Sequence, residues 1–314
     1  MGDTPGVLPP SLRPDKGLHT VVNLGKIVPV SSLPKRILVT SHGTAELIAA
    51  LNCADRIAAI IAFENYLEDV AAPYQEQLQD IPQILAPDNM PEIESLSDIE
   101  SDMLLCNYHF AKAMGMKLLH STSTYAAPVY ILESTSPGRA TIEGLYRDVQ
   151  NLGRILSAEA EAASLILRWR NELAELKKLQ LKKESARVFI FDSTRKNDVQ
   201  GTSEVCLTSG SESLEHHLVS MAGGHNIFAH VKDNYFYVEW DEVIRYDPQV
   251  ILIHQYKGDQ TTQEKIKWLT DSPGSKKIDA VKEGRFLILN LNEVFPGMQN
   301  IQAIKKMMIA FHKV

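Results

Sequence analysis

The sequence predicts an α/β protein: two α/β lobes bridged by a single long α-helix, with a ligand cleft between the lobes. Three observations carry this. From Lys35 onward, short β-branched runs alternate with apolar residues at helical spacing, the pattern of strand-helix-strand units on a parallel sheet. A proline-free stretch from Thr141 to Lys182, rich in Leu, Ala, Glu, Lys and Arg, then interrupts the alternation, which restarts at Arg187. At 314 residues, the chain also exceeds the length at which single cores usually stop growing.

The N-terminus, MGDTPGVLPPSLRPDKG, has no apolar core of a signal peptide and reads as a flexible polar tether over residues 1–20. The first lobe is expected over 21–156. Its strands are RILVT (Arg36 to Thr40), IAAIIAF (Ile57 to Phe63), IPQIL, DMLLCN (Asp102 to Asn107) and VYILES (Val129 to Ser134). Helices are expected over GTAELIAALNC and MPEIESLSDI. Next come two consecutive helices, the second N-capped at Ser157. This linking helix, assigned to 157–183, would be on the order of 38 Å long at about 1.5 Å per residue. The second lobe, 184–314, has strands RVFIFD, QVILIHQ and RFLILNLN, with helices over SLEHHLVSMAG, WDEVIRYD, TTQEKIKWLT and NIQAIKKMMIAFHK.

Composition narrows the function. A net charge of -7 gives no general footing for nucleic acid or an anionic membrane surface. Cys53, Cys106 and Cys206 are far apart and form no CxxC pair, so zinc, iron-sulfur and disulfide frameworks lack support. No stretch reaches about 18 consecutive apolar residues. Motifs of esterases, metalloproteases, P-loop enzymes and dinucleotide-binding proteins are missing.

His216, His217, His225 and His230 raise the question of a metal site. Neighbours on a helix lie about 100° apart and cannot easily share an ion. Gly223-Gly224 should end that helix and carry His225 and His230 into a loop. Structural histidines are the expectation.

What the sequence offers instead is polar and aromatic side chains at the ends of expected strands. These are Ser41 and His42; Phe63, Glu64, Asn65 and Tyr66; Tyr108 and His109; Asp192 to Arg195; His254, Gln255, Tyr256 and Lys257; and Glu293 and Phe295. Ligands of open α/β sheets bind outside the carboxyl ends of the strands. Loops are polar in any protein, but exposing several aromatics is costly, which favours a pocket.

Six segments in order resemble the substrate-binding proteins of ABC importers for iron-siderophore complexes, haem and cobalamin: PKRILVTSHGTAELIAALNCADRIAAI, IESLSDIESDMLL, TIEGLYRDVQNLGRILSAEAEA, LVSMAGGHNIF, VEWDEVIRYDPQVILI and IDAVKEGRFLILN. The likeness runs from about Val21 to the C-terminus. It implies two Rossmann-like lobes bridged by one rigid helix, and a structural role for Ala222, Gly223, Gly224, Asn226 and Ile227, which close a helix. It also implies one acidic permease-docking residue per lobe, here Glu94 and Asp241. The family usually has glutamate at the second place, so Glu242 or Glu239 are alternatives, and solvated carboxylates in helical first turns are the plain alternative for all of them. A narrower resemblance sets Tyr125 and Asp192-Ser193 beside the cleft, in a tyrosine loop and a turn.

The expectation is therefore a monomeric, non-catalytic protein that captures a metal chelate, foremost a ferric siderophore, and delivers it to an ABC permease dimer. Haem or cobalamin is the alternative within the class. The aromatic walls would be Phe63, Tyr66, Tyr108, Tyr125, Tyr235, Tyr237, Tyr256 and Phe295, with Arg195 and Lys257 meeting negative charge. His42 and His109 are further ligand-binding candidates; together with His254 they are candidate axial ligands, though a lone loop histidine more often hydrogen-bonds. No catalytic cofactor is expected. Location would be extracytoplasmic, as a periplasmic protein or cell-surface lipoprotein whose export signal is absent from this chain. From another class, a chelatase or a cluster reductase on a similar fold is the alternative; only Cys106 lies near a strand end, and one rigid linking helix suits binding better than water-excluding closure.

Overall fold

The computed structural model describes residues 19–30, 32–62, 67–85, 96, 99–114, 127–179, 184–196, 204–256, 260–272 and 274–314. The chain opens with a hairpin of β1 (His19–Asn23) and β2 (Lys26–Val30). Pairing thus begins at His19, inside the segment expected to be a tether, because Val21, Val28 and Val30 bury one face of the hairpin in the core.

Five parallel strands follow: β3 (Ile37–Val39), β4 (Ile57–Ala62), β5 (Gln83–Leu85), β6 (Met103–Cys106) and β7 (Val129–Ile131), in the order β5-β4-β3-β6-β7. At the open edge, the Asn23 amide bonds both backbone groups of Ile131, donating to its carbonyl at 2.7 Å and accepting from its N–H at 2.8 Å. Helix α1 (His42–Ala50) starts at Ser41, whose hydroxyl accepts from the Thr44 N–H at 3.2 Å. After α2 (Ala72–Leu78), α3 (Tyr108–Ala113) is capped by Asn107 and α4 (Ile142–Leu156) by Thr141. Ser157, expected to cap the next helix, instead closes α4 in a left-handed conformation with φ 50°, and α5 (Glu159–Leu179) begins two residues later. Helix α5 packs on α4 and on the last helix of the chain.

The second half has a parallel sheet in the order β11-β8-β13-β14, from β8 (Ala186–Phe191), β11 (Gly224–Asn226), β13 (Val250–Gln255) and β14 (Phe286–Asn290). Its helices are α6 (Leu214–Met221), α7 (Trp240–Tyr246), α8 (Thr262–Asp271), α9 (Asp279–Lys282), α10 (Leu291–Val294) and α11 (Asn300–Phe311). A second, antiparallel sheet, β12-β10-β9, joins β9 (Ser193–Lys196), β10 (Glu204–Ser209) and β12 (Tyr235–Glu239). The resemblance implies a turn at Asp192-Ser193, and the sequence pattern carries no strand signal here. The STRK run lacks apolar alternation, and its pairing is set by β10, not by its own residues.

The central strands β3, β6, β8 and β13 are buried along nearly their whole length, which is why they read as continuous apolar runs. Val188 and Ile190 of β8 face one way, into a core shared with Ile37 and Val39 of β3 and with Trp169 and Leu173 of α5, whereas Phe189 and Phe191 face an aromatic core confined to the second half. One continuous apolar cluster therefore runs through both halves. Among the described residues no helix is long and apolar enough to cross a membrane.

Candidate functional site

At the carboxyl ends of β8 and β13 lies a buried cluster of charges. His254, fully enclosed near the end of β13, holds its Nδ1 2.9 Å from Asp192 Oδ2 and its Nε2 3.4 Å from Glu215 Oε2. Glu215 comes from the first turn of α6, where the helix dipole favours a negative charge, and accepts a hydrogen bond from the Ser209 hydroxyl at 3.0 Å. Lys265 of α8, also buried, donates to the His254 carbonyl at 2.9 Å and sits 4.0 Å over the Tyr256 ring.

Burial alone would strip His254 of its charge, but the Glu215 carboxylate, with the hydrogen bond and charge of Asp192, outweighs it and pushes the imidazole pKa up to about 10. The same pairing acts on Asp192: burial raises its pKa, the His254 bond and charge lower it further than that, and the carboxyl ends below its ordinary value.

Two tyrosines connect this cluster to the surface. The Tyr256 hydroxyl donates to Asp192 Oδ1 at 2.6 Å, and the Tyr235 hydroxyl donates to Glu215 Oε1. Tyr235 and Tyr237 share the face of β12 opposite Phe236 and Val238, which pack into the aromatic core. Tyr237 is 42% exposed, and the Tyr235 ring meets Phe295 edge-on at 6.5 Å.

Phe295 marks where the halves meet. A Cβ on Gly43 of α1 would lie 2.8 Å from the Pro296 carbonyl, so only glycine permits this approach. Beside it, Glu46 Oε1 accepts from the Ala71 N–H at 2.8 Å and from the Gln299 side chain at 2.9 Å, while Oε2 is buried with no hydrogen bond of good geometry. Burial outweighs these donors and raises the Glu46 pKa to about 7. A groove of about 420 Å³ opens on the flank of this junction between Tyr74, Arg168, Trp169 and Met298, among helices and away from Tyr256.

Tyr235 thus opens β12 beside Phe295, Tyr237 lies two residues further along the same face, and Tyr256 directly follows β13. Tyr108 is half-buried, its N–H donating to Thr135 Oγ1 at 2.8 Å, and His109 is exposed in the first turn of α3. Asp241 is exposed and Glu242 half-buried in the first turn of α7; Glu239 is exposed just before it. Phe63, Glu64, Asn65, Tyr66, Glu94, Tyr125, Lys257 and the side chain of Arg195 lie outside the described residues, as does most of the helix expected over MPEIESLSDI.

The structure encloses two of the candidate histidines. His254 was a candidate axial ligand, but its ring is enclosed and both nitrogens face carboxylates; an imidazolium holding both protons has no lone pair for a metal. His42 is also fully buried, at the start of α1, so its ring does not line an open cleft. Glu215, Ser209 and Lys265 were not foreseen.

The clustered histidines go separate ways. His216 and His217 lie on α6 with pKa values lowered chiefly by burial, and His217 Nε2 is 3.7 Å from Glu143. Gly223, at φ 86°, ends the helix, but His225 then sits exposed in β11 and not in a loop. His230 packs 5.8 Å from the Tyr246 ring. Among the described residues no group of three or more His, Cys, Asp or Glu is arranged to hold a metal ion.

The periplasmic binding protein family profile matches residues 37–291, from the first parallel strand of the first half to the start of α10. The chain belongs to this family. No protein of curated function matches the sequence. Among solved structures, this periplasmic binding protein is similar to one from Veillonella parvula, with 22% identity over 95% of this chain and 98% of that one and a TM-score of 0.77. It is similar to the ABC-type Fe3+-hydroxamate transport system of Saccharomonospora viridis, at 18% identity, 93% and 98% coverage and a TM-score of 0.73. A periplasmic haem-binding protein of Pseudomonas aeruginosa matches at 17% identity over 90% of this chain and 94% of that one, with a TM-score of 0.65. At these identities the likeness shows the fold.

Proposed function

We propose that this periplasmic binding protein works outside the cytoplasm, capturing a metal chelate between its halves and handing it to an ABC permease. A ferric siderophore is the first ligand class and haem or cobalamin the alternative. The observation that carries the reading is the aromatic set Tyr235, Tyr256 and Phe295: Tyr256 directly follows β13, Tyr235 opens β12 beside Phe295, and Phe295 adjoins Pro296, where Gly43 lets the halves come together. Aromatic faces cover a bulky chelate with little loss of entropy. The Saccharomonospora viridis and Pseudomonas aeruginosa neighbours, described for ferric hydroxamate and for haem, lend support. The continuous core under both halves suits capture without large closure, in a binding module and not an enzyme. Permease docking falls to Glu94 and Asp241, with Glu242 as the substitute for the latter. If haem is the ligand, His109 is the candidate axial histidine left exposed.

Tryptophan fluorescence tests this. Trp268 stacks on Phe191, the residue before Asp192, with ring centroids 6.0 Å apart, so a ligand at Tyr256 should quench it. Titration with ferric hydroxamates, ferric catecholates, haem and cobalamin should give saturable sub-micromolar quenching by one class, and a shifted Soret band would single out haem. No response from any of the four would overturn the reading.

A further inference from the structure

We propose that His254 is a positioning residue for ligand capture: buried between Asp192 and Glu215, it holds both carboxylates so that they fix the hydroxyls of Tyr256 and Tyr235 with their protons turned inward. The proposal rests on the reading that these tyrosines meet the ligand.

The geometry leads there in three steps. Asp192 and Glu215 lie on different elements, the end of β8 and the start of α6, and one imidazole ring reaches both, Nδ1 by a hydrogen bond to Asp192 at 2.9 Å and Nε2 as a charge pair 3.4 Å from Glu215 without hydrogen-bond geometry. Two buried carboxylates this close would repel each other, and a cation between them removes the repulsion. Each carboxylate then spends its outer oxygen on a tyrosine: Oδ1 of Asp192 on Tyr256, Oε1 of Glu215 on Tyr235. The inner oxygens face His254, and Oε2 of Glu215 also takes the Ser209 proton. Lys265 fixes the strand end from behind through the His254 carbonyl and lies on the Tyr256 ring.

A phenol whose proton is committed to a carboxylate cannot donate it elsewhere. Any further partner of either oxygen must therefore bring the proton or the positive charge itself. That selects an edge of the chelate carrying N–H or O–H groups and disfavours an edge of bare carbonyl or carboxylate oxygens. Because Tyr235 belongs to the antiparallel sheet and Tyr256 directly follows β13 of the parallel one, the cluster also ties the two sheets together.

The test is a double-mutant cycle on the wild-type full chain, read with whichever of ferric desferrioxamine, haemin or cyanocobalamin binds. His254→Gln should weaken that ligand at least tenfold, as should Tyr256→Phe; because the ring serves both tyrosines, it is in a Tyr235→Phe/Tyr256→Phe background that His254→Gln should add less than threefold. Multiplying losses, or wild-type affinity in His254→Gln, overturns the proposal. Nitrogen-15 NMR of the wild-type imidazoles gives a second arm that needs neither ligand nor variant. At pH 8 one ring should carry protons on both nitrogens, and that resonance should vanish in any His254 variant that folds. A spectrum with only neutral imidazoles overturns the proposal even if His254→Gln does not fold. If no probe binds, the functional reading fails, while the NMR arm still decides the state of His254.

Discussion

Each half of the molecule buries an aspartate that accepts a proton from a tyrosine, and the two sites differ in who else is present. In the first half, Asp148 of α4 takes the Tyr130 hydroxyl at 2.9 Å, the Glu133 N–H at 2.7 Å, the Ser134 N–H at 2.9 Å and the Ser134 hydroxyl. Asn151 closes this set by donating to the Tyr130 oxygen at 3.0 Å. All these donors are neutral, burial wins, and the Asp148 pKa rises to about 6. In the second half, Asp192 has a cation beside it and its pKa falls. Four neutral hydrogen bonds do not match a buried imidazolium joined by the Tyr256 hydroxyl and the charge of Lys265. The placements differ to suit: Tyr130 is fully enclosed and braces a loop, whereas Tyr256 is half-buried and reaches the junction.

The strongest way to break the contrast is to remove the cation. His254→Leu leaves two buried carboxylates without their partner and should cost about 3–5 kcal/mol in urea denaturation, where a loss under about 1 kcal/mol would show that the pair carries no charge. A pH series sharpens the same point. A pKa raised to about 10 makes the His254 contribution complete below about 6.5 and lost as pH rises toward 10, so wild-type stability should fall across that window more steeply than that of His254→Gln.

Glu46 extends the comparison to a carboxylate with neutral donors and one poorly bonded oxygen. Its pKa of about 7 means the folded state is favoured most below about 4.5 and loses up to about 3 kcal/mol as pH climbs to 7. Glu46→Gln should remove that slope and raise the melting temperature at pH 8 but not at pH 4; an unchanged slope would show that Glu46 is ionised throughout. The smallest effect belongs to Tyr130→Phe, which strips one of four donors from Asp148 and should cost about 1–2 kcal/mol, with ligand affinity unchanged. Should it weaken ligand binding as much as Tyr256→Phe, the division between brace and binding site would not hold.

Much of the fold was legible because its central parallel strands are buried on both faces. VILI in β13 and VFIF in β8 can sit only inside a covered sheet. The one cap read from the sequence, Ser157, closes the preceding helix instead of opening the next. The antiparallel sheet was not legible, since STRK becomes a strand through its neighbour. The site was half legible. Aromatics at strand ends were visible, but Glu215 looks like any acidic residue in a helical first turn and Lys265 like any lysine on an amphipathic helix. What distinguishes them is a partner far away in sequence, such as His254 for Glu215, and spacing along the chain carries no trace of it. His254 shows the opposite case: its place at a strand end suggests access, while in the fold the ring is fully buried between Asp192 and Glu215.

The Asn23 amide on β7 has a consequence for the molecule in company. An exposed strand edge invites another chain to add on, and each strand added offers a fresh edge to the next. A side-chain amide fills the Ile131 position in that ladder but has no second rank of donors and acceptors behind it. It acts on the sheet as a terminator acts on a growing polymer, taking the last site and offering none in return.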